Sequence, residues 1–409
     1  MMKLLFICGA NVVDGELKCA SWIKSILTSI DSEFEIALAS FGSSEPHHMY
    51  VTEGEKCFEL FFCGNADAKS DFASIIRKTK PDTIVVFGTE NAYTLQALEV
   101  CNEMGALDRV VVFAQGLCCV CARHYAEGVP ERIIGRYTLR DMLRRQNIKK
   151  ERDSLQSRAV IEKKALEITH HFIGRTTMDQ AVLRKYNLSA NYYKCNDILR
   201  NSFYNGQWKY DDCIKHRIFV SQYYYPIKGF HYLLEAISGL IGKYPDIKIA
   251  AAGYNPIQKP LPQKELKDSS YIRYIKSLIK KYGLQDHIEL LGELSEERMK
   301  EEYLKAHVFV MPSTIENSPN SLAEAMMLGV PTIASDVGGV TDFAKHNEEA
   351  YIYPSSATYL LAQYIDKVFC NSENAVLLGR KGQERAKIEY DKEKNIAQLV
   401  QVFRSIAGE

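Results

Sequence analysis

The chain has 409 residues, 46% of them hydrophobic and 25% charged, which is typical of a globular protein with room for two or three domains. Its 51 Lys and Arg residues equal its 51 Asp and Glu residues, so no overall positive field favours nucleic acid, and we predict no nucleic-acid partner. No run of about 18 apolar residues is present, which argues against a membrane-spanning helix.

Eleven cysteines are scattered along the chain and do not suggest a disulfide framework. The first residues carry no recognisable secretory signal, so we expect a reducing, cytoplasmic location. Cys118, Cys119 and Cys121, with His124 nearby, lack a second ligand pair at zinc-site spacing. Buried thiols are therefore favoured there, and we predict no metal.

Short apolar runs alternate with amphipathic helical patterns. The first half predicts, in chain order, strand 4–8, helix 20–29, strand 35–40, helix 69–79, strand 83–87, helix 92–104 and strand 110–113. The second half predicts strand 217–220, helix 229–244, strand 248–252, helix 271–282, strand 288–291, helix 296–306, strand 308–311, helix 321–328 and strand 332–334.

This alternation predicts parallel sheets with right-handed crossovers, and therefore an α/β fold of two Rossmann-like domains. We expect the first domain at 1–205 and the second at 206–387. Ligands should bind in a cleft where the carboxyl ends of the strands of both domains face each other. A helix at about 388–409 is expected to pack back on the first domain.

A basic insert interrupts the alternation. Residues 136–164 contain ten Lys or Arg residues and four acidic ones, with a weak apolar stripe of Leu139, Met142, Leu143 and Leu155. A solvated helical surface is the simpler interpretation. Contact with an anionic membrane or a lipid-linked phosphate is the alternative.

The most informative segment, 316–324, holds two carboxylates around a predicted helix start. Pro319 suits the first helical position, and Ser318 before it suits the N-cap. The N–H groups that follow would point at an anion such as phosphate, and the carboxylates could accept hydrogen bonds from hydroxyls. A phosphate flanked by hydroxyls describes a nucleotide sugar. A simple capping box between Ser321 and Glu324 is the competing interpretation.

The block from Ile288 to Asp342 resembles the retaining glycosyltransferases of family four, also called glycosyl transferases group one. The resemblance rests on 290–297 (LLGELSEE), 308–313 (VFVMPS), the segment 316–324 and Gly338-Gly339. It extends upstream through 226–229 (PIKG) and, more weakly, through 87–90 (FGTE), 115–117 (QGL) and 174–176 (GRT). It implies the GT-B architecture of two Rossmann-like domains.

The resemblance also implies roles for individual residues. Glu316 would hold hydroxyls of the transferred sugar, and Glu324 would hold the ribose. Lys228 and the backbone around Ser318, Asn320 and Ser321 would hold the diphosphate, while Gly253 and Gly292 would lie near the base.

Three positions depart from the family pattern. The arginine usually found shortly before the lysine is missing from 221–225, and Arg175 is the candidate replacement. The glycine pair of the first domain is reduced to Asp14-Gly15, with Gly15 as the remaining donor contact. A histidine after the fourth strand is replaced by Gln115, which can hydrogen-bond a sugar and cannot act as an acid or base.

By this resemblance we expect a retaining, metal-independent hexosyltransferase that needs no cofactor, with Lys228, Glu316 and Gln115 in catalysis. The donor would be a nucleotide diphosphate sugar of the UDP or GDP type. The acceptor would be a glycan or lipid-linked hydroxyl, in cell-surface polysaccharide synthesis, with possible peripheral contact at the inner membrane face. A catalytically silent sugar-nucleotide-binding relative and a nucleotide-sugar epimerase remain alternatives.

Overall fold

The fold was analysed in a computed structural model, which describes residues 1–14, 16–30, 33–65, 67–253 and 268–409. In chain order the strands are β1 Met2–Ile7, β2 Asn11–Val13, β3 Glu16–Lys18, β4 Phe34–Ser43, β5 His47–Glu53, β6 Lys56–Gly64, β7 Thr83–Phe87, β8 Val110–Phe113, β9 His171–Gly174, β10 Asn191–Lys194, β11 Arg217–Val220, β12 Lys248–Ala252, β13 Ile288–Gly292, β14 Val308–Met311, β15 Thr332–Ser335 and β16 Tyr351–Tyr353.

The helices are α1 Ser21–Ser29, α2 Ala68–Thr79, α3 Ala92–Glu103, α4 Cys118–His124, α5 Glu131–Ile134, α6 Leu139–Leu143, α7 Ile148–Ile168, α8 Thr177–Tyr186, α9 Phe230–Ser238, α10 Ser270–Lys281, α11 Glu296–Lys305, α12 Asn320–Met327, α13 Val340–Phe343, α14 Thr358–Cys370, α15 Ser372–Glu389 and α16 Lys392–Ala407. No helix in these ranges is both long enough and apolar enough to span a bilayer.

The chain forms two compact units. The first comprises Met1–Cys119, Ser157–Arg200 and Tyr390–Glu409, and the second comprises Val120–Gln156 and Asn201–Glu389. The sheet of the second unit is parallel and that of the first unit is parallel except for one edge strand, so the predicted α/β fold class is confirmed.

The first unit contains an eight-stranded sheet in the order β10-β9-β8-β7-β1-β4-β6-β5, in which β5 alone runs antiparallel to its neighbour. The β5–β6 hairpin was not among the predicted elements. Helix α16 belongs to this unit, where the Thr83 hydroxyl donates to the Phe403 carbonyl and the Asn395 amide donates to the Asp197 carbonyl.

The second unit contains a six-stranded parallel sheet in the order β13-β12-β11-β14-β15-β16. This is the doubly wound order, in which β11 to β13 extend in one direction and β14 returns beside β11. The reversal leaves a crevice at the carboxyl ends of β11 and β14, the usual ligand position in such sheets.

Residues 120–156 belong to the second unit, whereas the sequence division placed them in the first. The physical reason is burial, because Tyr125, Ile134 and Ile148 pack into the same hydrophobic core as Ile218 and Val310. Periodicity along the chain cannot reveal which sheet such a short helical segment will cover.

Candidate active site

The candidate site lies in the second unit, where the chain leaves β11 and β14. Residues 226–228 form a 3₁₀ turn after β11, and Gly229 follows with a φ of 63°. A Cβ atom at Gly229 would lie 1.8 Å from the Pro312 carbonyl oxygen, so the two loops approach too closely for any other residue. This contact positions Lys228 beside the loop that follows β14.

Lys228 and Glu316 form an ion pair across these loops. The Lys228 Nζ donates to Glu316 Oε1 at 2.6 Å, and the Ser313 hydroxyl donates to the same oxygen at 2.7 Å. Both partners of the ion pair are partly exposed. The second carboxylate oxygen can therefore accept from a ligand hydroxyl while Oε1 keeps these two donors.

The backbone of Glu316 is held by the glycine turn of 338–339. The Gly339 N–H donates to the Glu316 carbonyl at 3.0 Å. Gly338 has a φ of 56°, and a Cβ atom there would lie 1.9 Å from the same carbonyl oxygen. The turn at Gly338-Gly339 thus supports the loop that carries the Glu316 carboxylate.

Helix α12 begins at Asn320, one residue before the predicted helix 321–328 and one residue after the helix start expected at Pro319. Pro319, with a φ of −79° and a ψ of 100°, is the N-cap, and the helix starts at Asn320 without a side-chain cap. Ser318 is therefore not the N-cap. The capping box between Ser321 and Glu324 is also wrong, because both residues lie inside the helix and a box requires its serine before the first turn.

The start of α12 retains polar groups that lack partners. The N–H groups of Asn320 and Ser321 have no acceptor within the helix, as in any first turn. Ser318 Oγ and Asn320 Oδ1 are buried atoms for which the described part of the chain offers no hydrogen-bond partner. Unsatisfied buried polar atoms are uncommon in folded proteins, and these two could pair with a ligand at the helix start.

Glu324 is buried on α12, where Tyr303 of α11 packs beside it. The Tyr303 hydroxyl lies 3.0 Å from the Ser321 carbonyl oxygen and 3.4 Å from Glu324 Oε2. Sequence reasoning missed Tyr303, since nothing in the pattern of α11 separates this tyrosine from an ordinary core residue.

Gly253 follows β12, and Gly292 is the last residue of the neighbouring β13, so both lie at the same edge of the sheet. The Gly253 N–H donates to the Gly292 carbonyl at 2.9 Å, and their φ values are 125° and 79°. These backbone conformations favour glycine. Because glycine has no side chain, a flat base could approach the backbone at this edge of the sheet.

The remaining predicted residues belong to the first unit. Gly15 lies outside the described residues. Gln115 follows β8, and its amide lies 3.3 Å from the Ala114 carbonyl oxygen. Arg175 is 3% exposed, pairs with Asp197 and donates to the Ala114 carbonyl, all within this unit. We therefore do not include Arg175 in the proposed donor site.

Glu90 is a further candidate in the first unit, where it follows β7 at the point at which the strand order reverses beside β1. Burial raises the pKa of its carboxyl to about 7. Its Oε2 atom has no hydrogen-bond partner among the described residues, although the Arg158 side chain donates to its backbone carbonyl at 2.7 Å. The sequence showed Glu90 only as part of the weak likeness at 87–90.

The described ranges contain no group of three His, Cys, Asp or Glu side chains placed to hold a metal ion. All eleven cysteines lie in those ranges and are free thiols.

Comparison with known proteins agrees with this geometry. Residues 215–385 match the model of the family "Glycosyl transferases group 1". The Schizosaccharomyces pombe phosphatidylinositol N-acetylglucosaminyltransferase gpi3 subunit is 26% identical over 125 residues, 31% of this chain and 24% of the relative. The Erwinia amylovora amylovoran biosynthesis glycosyltransferase AmsK is 23% identical over 139 residues, 32% of this chain and 34% of the relative.

These alignments span about a quarter to a third of the relatives' length. The crystal structure of Anabaena HepE in complex with UDP superimposes with a TM-score of 0.67 at 12% identity, over 99% of this chain and 100% of that one. That likeness extends the GT-B fold to both units. The match to the glycosyl transferases group 1 model thus lies within the second unit, and residues 215–385 include the Lys228–Glu316 pair and the start of α12.

Proposed function

We propose that the protein transfers a hexose, with retention of anomeric configuration, from a nucleotide diphosphate sugar to a hydroxyl of a glycan or lipid-linked acceptor. The observation that carries the proposal is the Lys228–Glu316 pair beside the uncapped start of α12, at the point where the strand order of the second sheet reverses. That arrangement combines positive charge for a diphosphate with a carboxylate for sugar hydroxyls.

In the proposed complex the diphosphate lies at the start of α12. The N–H groups of Asn320 and Ser321 donate to its oxygens, with Ser318 Oγ beside them. Lys228 contributes the full positive charge, while Glu316 accepts from hydroxyls of the hexose. Side-chain charge and helix dipole then act on the same leaving group.

The nucleoside is proposed to lie along the carboxyl edge of the sheet. Glu324 accepts from the ribose hydroxyls, with Tyr303 holding the carboxylate in place. The base approaches the backbone of Gly253 and Gly292. Recognition through backbone groups would accommodate either a uracil or a guanine, and the UDP bound to HepE favours UDP as the first donor to test.

In the reaction the bond between the anomeric carbon and the β-phosphate oxygen breaks, and a bond to the acceptor oxygen forms on the same face. The acceptor proton passes to the departing phosphate oxygen. Lys228 and the N–H groups of α12 stabilise the negative charge that develops there, so the protein requires no separate base. Gln115 would orient the sugar or the acceptor by hydrogen bonding.

The acceptor is proposed to be a growing glycan, free or lipid-linked, in surface-polysaccharide synthesis in the cytoplasm. The amylovoran assignment in the name of AmsK supports this class. The first unit would bind the acceptor, and Glu90 is its strongest candidate for a hydroxyl contact because its buried carboxyl lacks a hydrogen-bond partner at Oε2 among the described residues.

The proposal is tested by thermal shift with UDP, GDP and ADP and their sugars, followed by transfer assays. A ligand at about 100 times its Kd should stabilise the protein by about 2.7 kcal/mol. Lys228→Ala and Glu324→Ala should both weaken binding and abolish transfer. Lys243→Ala is the matched control, because Lys243 pairs with Asp366 on the surface of the same unit.

Each alternative predicts a different result. Binding without transfer or hydrolysis from any nucleotide sugar would indicate a silent relative. Conversion of the donor sugar without an acceptor would indicate an epimerase. Normal transfer by both site variants would refute the assigned site, and loss of activity on chelation with recovery on magnesium would refute a metal-independent mechanism.

A further inference from the structure

The basic insert presents an exposed apolar surface around α6. Its residues, here called the α6 patch, combine exposed apolar and basic side chains: Tyr137, Leu139, Met142 and Leu143, with Arg136, Arg144, Arg145, Lys149 and Lys150. Leu143 is 78% exposed and Met142 63% exposed. Neighbouring large apolar side chains are rarely so exposed unless they meet a partner.

The amphipathicity of α6 is reversed relative to an ordinary surface helix, which buries its apolar face. Its polar residues face inward: Asp141 is fully buried, accepting from the Ser270 N–H at 2.9 Å and from the Thr138 N–H at 3.1 Å. The Thr138 hydroxyl donates to the Asp268 carbonyl at 2.7 Å. These bonds fasten the polar side of α6 to the second unit and hold its leucines outward.

The charge around this apolar surface has a single sign. From 135 to 150 the exposed charged residues are all Lys or Arg, and the segment's one carboxylate, Asp141, is buried. The Lys150 ammonium lies 5.9 Å from the centre of the Tyr137 ring, so basic and aromatic groups are interleaved. A partner must therefore carry negative charge at its surface and have an apolar region just below it, which the exposed Leu and Met side chains of the α6 patch can reach.

We propose that the α6 patch docks the second unit on an anionic lipid bilayer, with Leu139, Met142 and Leu143 inserted among the acyl chains and the basic residues at the phosphate level. Aliphatic side chains surrounded by Lys and Arg are the usual composition of interfacial anchors. Tyr137 suits the boundary, since its ring is apolar and its hydroxyl is polar. From the sequence a solvated surface was the simpler interpretation and a membrane contact the alternative, and the outward leucines favour the membrane contact.

The test is sedimentation of the full chain with vesicles of phosphatidylcholine alone or with about 30 mol% phosphatidylglycerol. The protein should bind the anionic vesicles and lose affinity as salt is raised. Arg144→Gln with Arg145→Gln should weaken binding about 30-fold, since each basic residue near such a surface contributes about fivefold. Met142→Ser with Leu143→Ser should weaken it about tenfold or more.

Leu188→Ser is the matched control, because Leu188 is 81% exposed and lies in the first unit. This variant should bind vesicles like the parent protein. Equal binding by the parent and by both patch variants would overturn the proposal, as would equal binding to neutral vesicles. A lipid-free shift in oligomeric state caused by Met142→Ser with Leu143→Ser would assign the patch to a second copy of the chain instead.

The readout is independent of sugar transfer. Vesicle binding can be measured whether or not the protein transfers a hexose. Failure of the proposed transfer activity would therefore leave the membrane proposal intact, and failure to bind vesicles would leave the transfer proposal intact. The substituted side chains are exposed, and an unchanged melting temperature would confirm that the fold is kept.

Discussion

Replacing Gly229 by Ala should disrupt both the fold and the site. The added Cβ would lie 1.8 Å from the Pro312 carbonyl oxygen, whereas real Cβ contacts are not shorter than 3.0 Å. The two loops must therefore separate by at least 1.2 Å, the difference between these distances. The left-handed φ of 63° adds about 1 kcal/mol for a residue with a side chain. We expect a total loss of about 3 kcal/mol or more in the free energy of unfolding.

The same displacement should reduce nucleotide binding, because Lys228 precedes Gly229 directly and its 2.6 Å contact with Glu316 spans the two loops. Urea unfolding measures the stability, and calorimetric titration with UDP measures the affinity. Gly242→Ala is the control, since a Cβ there meets nothing within 4 Å, and this change should alter the free energy of unfolding by less than about 0.5 kcal/mol. Parental stability and parental UDP affinity in Gly229→Ala would refute the reasoning.

Three other substitutions have distinct expected outcomes. Tyr303→Phe should weaken UDP binding several-fold in calorimetry by freeing the Glu324 carboxylate to move, and unchanged affinity would count against Glu324 as a ribose contact. Glu90→Gln tests pH dependence: burial raises the pKa of this carboxyl from 4.5 to about 7, so the folded protein keeps a proton that the unfolded chain releases, and stability falls as pH rises through this range. The variant should therefore gain up to about 3 kcal/mol in the free energy of unfolding at pH 8 and nothing near pH 4, whereas an equal effect at both pH values would contradict the cause. Asp141→Ala should cost about 2 kcal/mol in urea unfolding because the Ser270 N–H loses its buried acceptor, and a cost below about 0.5 kcal/mol would show that α6 is not fastened as described.

The regular elements were predictable because their signals are local. Alternating apolar runs and helical periods located nine of the strands in the two large sheets, but they did not locate the parallel strands β6, β9, β10 and β16. Gly229 was included in the predicted helix 229–244, whereas it precedes α9 with a left-handed φ. The antiparallel β5–β6 hairpin was missed because it sits outside that alternation. Helix α9 was predicted to reach 244 and ends at Ser238, where Gly239 follows.

Side-chain partners were less predictable than elements. Arg175 was chosen as a replacement cation from its position in the chain, and its pairing with buried Asp197 follows from a contact between segments 22 residues apart. The importance of Tyr303 likewise depends on α11 packing beside α12. Neither the Arg175–Asp197 pair nor the packing of Tyr303 beside α12 can be predicted from local residue pattern or spacing.

The sequence by itself determined the α/β class, the alternation of strands and helices, and the family likeness of 288–342, because each of these depends on residue types at short, regular spacings. Tertiary structure decided which unit residues 120–156 join, which face of α6 is buried, and that Arg175 is already paired. The physical reason is that burial and hydrogen bonding are satisfied between distant segments. The residue type determines which groups a side chain can bind, and the tertiary structure determines which of those groups lie beside it.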